Sequence, residues 1–225
     1  MAKRAKPLLV LNFKTFSTST GRNAVNLAKL AESFASHSHF AVVICPDAGD
    51  IEEVAKVCRR AKVYSQHVDA VELGQHTGSF PVPLAKKLGA RGTILNHAEH
   101  KLKFSELSAA VKMCKKYKMK TLLCADSDAE ARRIALLSPD FIAVEPPDLI
   151  GSGKSVSTMR PELVKKSIAA VKKINKKMLV LIGAGVTTAE DVRASLQLGA
   201  EGVLVASAFA ASKNPRKWLE SLKRI

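Results

Sequence analysis

Short apolar runs alternate with amphipathic segments along almost the whole chain. Eight of these runs are closed by a polar residue, a glycine or a proline, and the third of them, Lys62–Gln66, is more polar than the others. Continuous apolar runs of this length are typical of strands that are buried on both faces. The predicted strands are Leu8–Phe13, Phe40–Cys45, Lys62–Gln66, Gly92–Asn96, Lys120–Ala125, Phe141–Glu145, Met178–Ile182 and Gly202–Val205.

Helical periodicity follows each predicted strand. In the first such segment, Leu27, Ala31 and Phe34 fall on one face of a helix. The predicted helices are Gly21–Phe34, Asp50–Arg60, Pro83–Leu88, Ser105–Tyr117, Asp128–Leu137, Pro161–Asn175, Thr187–Leu198 and Asn214–Leu222.

Residues at the ends of several helices support these boundaries. Asp50 is a suitable N-terminal cap, and Thr188 with Asp191 has the spacing of a capping box. Gly89 and Gly199 stand where a glycine commonly ends a helix.

The alternation of strand and helix predicts the fold. Strands joined through helices form a parallel sheet with helices on its faces. Eight such units in 225 residues, with no linker of biased composition, predict one domain over residues 1–225. We expect a closed (β/α)8 TIM barrel with short helices. An open, doubly wound sheet is the alternative, but Thr188 stands where the third glycine of a GxGxxG motif after Gly183 and Gly185 would be.

The amino-acid composition limits the classes of protein to which the chain can belong. Hydrophobic residues make up 47% of the chain, yet no apolar run is long enough to span a bilayer. The apolar run behind the basic N-terminus is too short for a signal peptide, so we expect a soluble, cytoplasmic protein. The four cysteines are scattered without a CxxC pair, which predicts reduced thiols in or near the core.

The formal net charge of +16 has two interpretations. A basic face can bind nucleic acid, whereas dispersed lysines can simply keep the surface solvated. The lysines recur along several helices and aromatic residues are only 5% of the chain, which disfavours nucleic-acid binding. A positive field would also attract a small anionic substrate.

Polar residues stand at the ends of several predicted strands, where a TIM barrel carries its active site. An ammonium, an imidazole and carboxylates would meet at one rim. The residues concerned are Asn12, Lys14, Asn96, His97, Glu99 and Glu145. Each has an ordinary structural interpretation by itself, but together they predict a site.

The stretch from Phe141 to Ser157 places one of these carboxylates in a special setting. Glu145 ends a buried strand, and Pro146–Pro147 cannot continue it. A Gly- and Ser-rich loop follows before the helix near Pro161. This order predicts a base under a lid, although a capping glutamate beside an ordinary loop remains the alternative.

Two loops lack bulky side chains and favour phosphate binding. Gly185 follows the seventh predicted strand, and Ala206–Ser207 follows the eighth. Their backbone N–H groups can approach an anion closely, helped by a following helix N-terminus. TIM barrels commonly bind phosphate at these two loops.

Five motifs in order now resemble a known family. They are NFK at Asn12–Lys14, LNHAEH at Leu95–His100, AVEPPDLIGSG at Ala143–Gly153, GAGV at Gly183–Val186 and VLVASA at Val203–Ala208. Together they resemble the triosephosphate isomerase family from about Leu8 to Phe209, and the short chain resembles its compact archaeal branch.

The resemblance implies a role for each residue of the rim. Glu145 would be the base that moves a proton between two carbons of a triose phosphate, and neutral His97 would polarise the carbonyl. Lys14, beside Asn12, would stabilise the developing enediolate, with Glu99 holding Lys14 in place. A carboxylate can remove a carbon-bound proton when water is excluded and the oxyanion is stabilised.

The resemblance also implies the substrate contacts. The residues concerned are Asn12, Phe13, Lys14, Ile150, Gly185, Ala206 and Ser207. Ala98 stands where the family frequently has serine. An internal proton shift needs no cofactor, and His97 with His100 offers at most two metal ligands, so we expect neither cofactor nor metal.

The segment QHTGSF, residues 75–80, resembles the family loop that inserts into a neighbouring subunit, with Thr77 near its tip. This implies a homo-oligomer, with a tetramer favoured over a dimer, whereas a plain surface turn is the alternative. Two other functions remain open: another barrel acting on a larger sugar phosphate, and a catalytically silent basic barrel that binds nucleic acid.

Overall fold

The chain forms a closed barrel of eight parallel strands in sequence order. The computed structural model describes residues 6–146 and 155–225. The strands are β1 Leu8–Asn12, β2 Ala41–Cys45, β3 Lys62–Ser65, β4 Gly92–Leu95, β5 Lys120–Ala125, β6 Phe141–Val144, β7 Leu179–Ile182 and β8 Gly202–Val205. The predicted TIM barrel is confirmed, and the open doubly wound sheet is excluded.

Closure of the barrel depends on the pairing of β1 with both β2 and β8. Leu11 pairs with Ile44 on one side and with Val205 on the other. At the start of β8, a Cβ on Gly202 would lie 2.8 Å from Leu8 Cβ and 2.9 Å from its carbonyl carbon. Because real Cβ atoms do not approach so closely, the glycine permits β8 to pair with β1 there.

Several strands end one residue earlier than the sequence predicted. The predicted last residues Phe13, Gln66, Asn96 and Glu145 leave the strand conformation at the carboxyl rim. Phe13 and Glu145 still donate their backbone N–H groups to Cys45 and Ala125. The rim residues therefore begin the loops while they remain tied to the barrel.

Helices surround the barrel as predicted. They are α1 Arg22–His37, α2 Ile51–Val57, α3 Val82–Lys87, α4 Phe104–Lys116, α5 Asp128–Ala135, α6 Val156–Met159, α7 Pro161–Ile174, α8 Ala189–Gln197, α9 Ser207–Ala210 and α10 Pro215–Ser221. The four-residue helices α6 and α9 were not predicted, because a single turn is too short to show a helical period.

Of the two N-terminal helix caps that the sequence predicted, one is confirmed and the other was wrong. Thr188 and Asp191 form the expected capping box of α8. Asp50 precedes α2 but makes no side-chain cap there, so its predicted role was wrong. Its carboxylate instead accepts a hydrogen bond from the Gly21 N–H at 2.8 Å, which ties the start of α1 to the β2–α2 connection.

The core has two layers, one inside the barrel and one between the barrel and the helices. Val10, Leu122 and Leu181 belong to the inner layer, whereas Leu9 and Leu11 pack outward. Neighbouring strand residues point to opposite faces, and both faces are apolar, which explains the continuous apolar runs. Among the residues described, no helix is both long and apolar enough to pass through a bilayer.

The cysteines are free thiols, as predicted. Three are buried, and Cys58 is half-buried. Burial raises the pKa of the Cys58 thiol to about 12, with the carboxylate of Glu32 adding to the effect. A thiol with such a pKa stays protonated and unreactive near neutral pH.

Candidate active site

A cavity of about 300 Å³ opens at the carboxyl ends of the strands. It contains six of the residues predicted for the site, although they come from five different strand–helix connections. These six are Lys14, His97, Glu145, Gly185, Ala206 and Ser207. The closed barrel brings them together because all parallel strands end at the same rim.

Glu145 lines this cavity and is only 2% exposed. Its Oε2 atom is buried and has no hydrogen-bond donor among the described residues. A buried carboxylate oxygen without a donor is costly, and such groups concentrate at functional sites. The capping or surface role considered for Glu145 does not fit this burial.

Gly183 forms the wall against which Glu145 packs. A Cβ on Gly183 would lie 2.6 Å from Glu145 Cγ and 2.7 Å from its Cδ. The absence of a side chain at position 183 therefore creates the space for the carboxylate. The sequence indicated this glycine only as part of the GAGV motif and of an incomplete GxGxxG motif.

The thiol of Cys124 faces Glu145 from the barrel interior. Burial raises the pKa of Cys124, and the neighbouring Glu145 carboxylate raises it further. Cys124 therefore remains a neutral thiol beside the carboxylate.

His97 lies next to Glu145 and is 7% exposed. Its Nδ1 atom accepts a hydrogen bond from the Glu99 backbone N–H at 3.1 Å, and its Nε2 lies 4.0 Å from Glu145 Oε2. A nitrogen that accepts cannot carry a proton, so the neutral ring holds its proton on Nε2. The ring therefore presents a donor to the cavity.

Polar contacts with three other residues hold Lys14 in place. Its Nζ lies 2.6 Å from Glu99 Oε1, which is the pairing that the resemblance implied. Its backbone has a φ of 49°, and its N–H donates to Asn12 Oδ1 at 3.0 Å. Gln66, which the sequence indicated only as the end of a strand, donates to the Lys14 carbonyl at 2.9 Å.

The loop after β7 is fixed by side chains from α8 and α10. Gly185 has a φ of 67°, and Asp191 accepts hydrogen bonds from the N–H groups of Thr187 and Thr188 at 3.0 and 2.8 Å. Burial would raise the pKa of Asp191, but these bonds and the threonine hydroxyls lower it. Trp218, which the sequence did not indicate, donates from Nε1 to the Thr187 carbonyl at 2.7 Å.

Other predicted residues lie apart from this cavity. The ring of Phe13 is fully buried outside the barrel, 5.9 Å from the ring of Phe209, so only its backbone could reach a substrate. Ile150 and the rest of the predicted lid, 147–154, lie outside the described residues. Thr77 is exposed in the loop between β3 and α3.

A second cavity of about 310 Å³ adjoins the first one. Asn12, His97 and Glu99 line it, together with the histidines His67 and His100. Those two rings are stacked, with centroids 4.1 Å apart. Among residues 6–146 and 155–225 there is no group of three or more metal-ligating side chains.

Comparisons with known proteins identify the family of the chain. A family model described as triosephosphate isomerase matches residues 7–222. Curated proteins named triosephosphate isomerase from three methanogenic archaea are similar over nearly their full lengths. The protein of Methanothermus fervidus is 41% identical over 96% of this chain and 97% of its own. Those of Methanocaldococcus jannaschii and Methanobrevibacter smithii are 39% and 38% identical, over 96% of this chain and 98% and 97% of their own. The chain therefore belongs to the triosephosphate isomerase family.

Proposed function

We propose that the protein interconverts glyceraldehyde 3-phosphate and dihydroxyacetone phosphate through an enediolate. The observation that carries this proposal is the meeting of Glu145, His97 and Lys14 in one cavity, beside two loops without bulky side chains. Membership of an isomerase family supplies the reaction class, and the geometry supports a role for each group.

Glu145 is the proposed base. In its ionised form it takes the proton from the carbon next to the substrate carbonyl and returns it to the former carbonyl carbon. The hydroxyl proton on the first carbon's oxygen passes to the oxygen of the former carbonyl, which completes the exchange. The burial of Glu145 keeps water away from the carboxylate, so the proton is exchanged with substrate carbon rather than lost to solvent. The single carboxylate thus acts first as base and then as acid.

His97 and Lys14 are the proposed electrophiles. The Nε2–H of neutral His97 donates to the oxygens on which negative charge develops, and the Lys14 ammonium adds a positive charge nearby. Glu99 holds that ammonium through the contact at 2.6 Å, and Asn12 holds the Lys14 backbone. These donors are in place before the substrate arrives, which limits reorganisation during the reaction.

The phosphate group binds, on this proposal, at the loops after β7 and β8. Gly185, Ala206 and Ser207 line the same cavity as the catalytic groups and can offer backbone N–H groups. Ile150 would contribute from the lid that closes over the substrate. The reaction moves hydrogen within one molecule, and we therefore propose that it uses no cofactor or metal.

An assay coupled to consumption of dihydroxyacetone phosphate, with a metal chelator present, tests the proposed function. We expect rapid turnover of glyceraldehyde 3-phosphate that the chelator does not change. Turnover of a larger sugar phosphate alone would instead support the other phosphate-binding barrel. Binding of nucleic acid without any isomerisation would support the silent basic barrel.

We also propose that a second copy of the chain docks its loop between β3 and α3 into the second cavity. Residues 73–78 of this loop are exposed, and its Leu73 is 60% exposed although leucine is apolar. The cavity beside Asn12 and Glu99 is large enough for a loop tip. The family resemblance favours a tetramer assembled from such contacts over a dimer.

Replacing Thr77 by arginine should therefore shift the protein to a smaller assembly, because a bulky charge at the loop tip cannot enter the cavity. Light scattering after size-exclusion chromatography measures the mass, and Ser33→Arg on the exposed side of α1 is the control. A wild-type protein that is monomeric at micromolar concentration would contradict the proposed contact.

We infer in addition a single domain and a cytoplasmic location. All eight strands belong to one barrel, and free cysteines are typical of a reducing compartment.

A further inference from the structure

Asn96 lies between β4 and His97 in a backbone conformation that few residues adopt. Its φ is 60°, and its side chain is 2% exposed. Asparagine tolerates the left-handed region better than most residues, but a buried amide also needs hydrogen-bond partners. The partners of this amide connect the His97 loop to a different part of the barrel.

Three hydrogen bonds satisfy the Asn96 side chain. Its Nδ2 donates to the Cys124 carbonyl at the end of β5 and to Glu130 Oε1 in α5, each at 2.9 Å. Its Oδ1 accepts from the Leu102 N–H at 3.1 Å. One side chain thus joins both ends of the loop from 96 to 102 and attaches them to β5 and α5.

Glu130 extends this connection. Its Oε2 accepts from the Asp126 N–H at 2.7 Å, and Lys101 donates to both of its oxygens at 3.0 and 3.2 Å. Burial would raise the pKa of Glu130, but the bonds from Asp126, Asn96 and Lys101 lower it. Lys101 also lies 2.7 Å from Asp126 Oδ1.

The β4–α4 loop, which these bonds hold, carries His97 and Glu99, two residues with roles in the proposed reaction. The hydrogen bond from the Glu99 N–H to His97 Nδ1 lies within the loop, so it fixes the ring relative to the loop and not relative to Glu145. The Lys14–Glu99 ion pair and the His67–His100 stack connect the loop to the segments after β1 and β3. The bonds of Asn96, Lys101 and Glu130 are what fix it relative to β5 and α5.

We propose that Asn96 and Glu130 are positioning residues, which place the His97 Nε2–H against the reacting oxygens by tying the β4–α4 loop to β5 and α5. This inference rests on the proposed function of the cavity. It assigns a role in the reaction to two residues that themselves do not line that cavity.

Substrate binding and the chemical step should respond differently when the Asn96 network is broken. The phosphate loops after β7 and β8 are not part of the Asn96 network, so substrate binding through the phosphate should persist when the network is broken. The donor at His97 matters most when charge develops on the oxygen, so its misplacement should lower kcat. A purely structural network would lower stability and leave kcat of the folded enzyme unchanged.

Asn96→Asp is the informative substitution. Aspartate keeps the shape, tolerates the left-handed conformation and can accept from Leu102, but it places an oxygen against the Cys124 carbonyl and Glu130. We expect kcat to fall by about 10- to 100-fold, since small misplacements of catalytic groups have effects of this size. KM and the affinity for inorganic phosphate should stay close to their wild-type values.

Glu130→Gln and the double variant Asn96→Asp/Glu130→Gln complete the experiment. In the double variant the new amide in α5 can donate to the new carboxylate at the end of β4, which reverses the polarity of the original hydrogen bond. The double variant should therefore recover part of the kcat lost in Asn96→Asp. Asp140→Asn is the matched structural control, because Asp140 accepts from the Thr121 N–H at 2.9 Å at the opposite end of β5. It should lower the unfolding temperature without changing kcat.

Kinetics are measured below the unfolding transition of every variant. A wild-type kcat in folded Asn96→Asp would overturn the proposal, as would equal losses in kcat and phosphate affinity. Failure of the double variant to recover would overturn the direct link between the two residues. If the wild-type protein does not isomerise triose phosphate at all, the proposed function fails first, and that result is read from the wild type alone.

Discussion

Replacing Glu145 by aspartate should lower kcat by about 100- to 10,000-fold while the fold is kept. Aspartate retains the carboxylate but withdraws it by one methylene from the cavity, so the proton on the substrate carbon is no longer within reach. Steady-state kinetics on glyceraldehyde 3-phosphate measure the effect. Retention of the full rate would refute the assignment of Glu145 as the base.

The glutamine variant separates catalysis from stability at the same position. Glu145→Gln removes a buried carboxylate whose Oε2 has no donor among the described residues. Its unfolding temperature should be no lower than that of the wild type, since active-site groups are often kept at the expense of stability. Glu190→Asp, on an exposed glutamate of α8, is the control and should keep the full kcat.

Replacing Gly183 by alanine should lower kcat by about 100-fold or more, although none of the proposed catalytic groups is altered. The new Cβ would lie 2.6 Å from Glu145 Cγ, so the carboxylate must move away from its present position. Gly183 is not among the glycines with positive φ, and alanine therefore fits its backbone. The effect should come from displacement of Glu145 and not from backbone strain.

Two comparisons test that explanation. Gly49→Ala, whose Cβ would meet nothing closer than Asp47 Oδ1 at 3.4 Å, should have little effect on kcat. The double variant Glu145→Asp/Gly183→Ala should lose much less than the product of the single losses, because both changes act through the position of one carboxylate. Losses that multiply would show that Gly183 acts on another part of the site.

Unusual backbone conformations occur in two loops of the proposed active site. Among the described residues other than glycine, Lys14 and Asn96 have positive φ at the carboxyl rim. Each is compensated locally, because Asn12 accepts from the Lys14 N–H and the Asn96 side chain makes three hydrogen bonds. Such conformations persist only where the surroundings determine them, and they concentrate at functional sites.

The sequence by itself determined the architecture. Apolar runs followed by helical periodicity predict strands and helices because burial on both faces and burial on one face leave different patterns along the chain. The eightfold alternation of strand and helix is compatible with only a few arrangements of the sheet, and the closed barrel is one of them. Since parallel strands share one rim, the positions of Lys14, His97 and Glu145 at strand ends also predicted that they would meet.

Only the tertiary structure decided how the rim residues are held. Gly183 is required by the volume of Glu145, which lies 38 positions earlier in the chain. The Asn96 side chain donates a hydrogen bond to Glu130, and the Trp218 side chain donates one to the loop after β7. The separations of these partners along the chain follow no periodicity and belong to no motif. The aromatic Phe13, although it belongs to the NFK motif, turns outward to Phe209. The local pattern of apolar and polar residues indicates which face of a helix or strand is buried. Steric fit and hydrogen bonds between distant segments exist only once the barrel has closed.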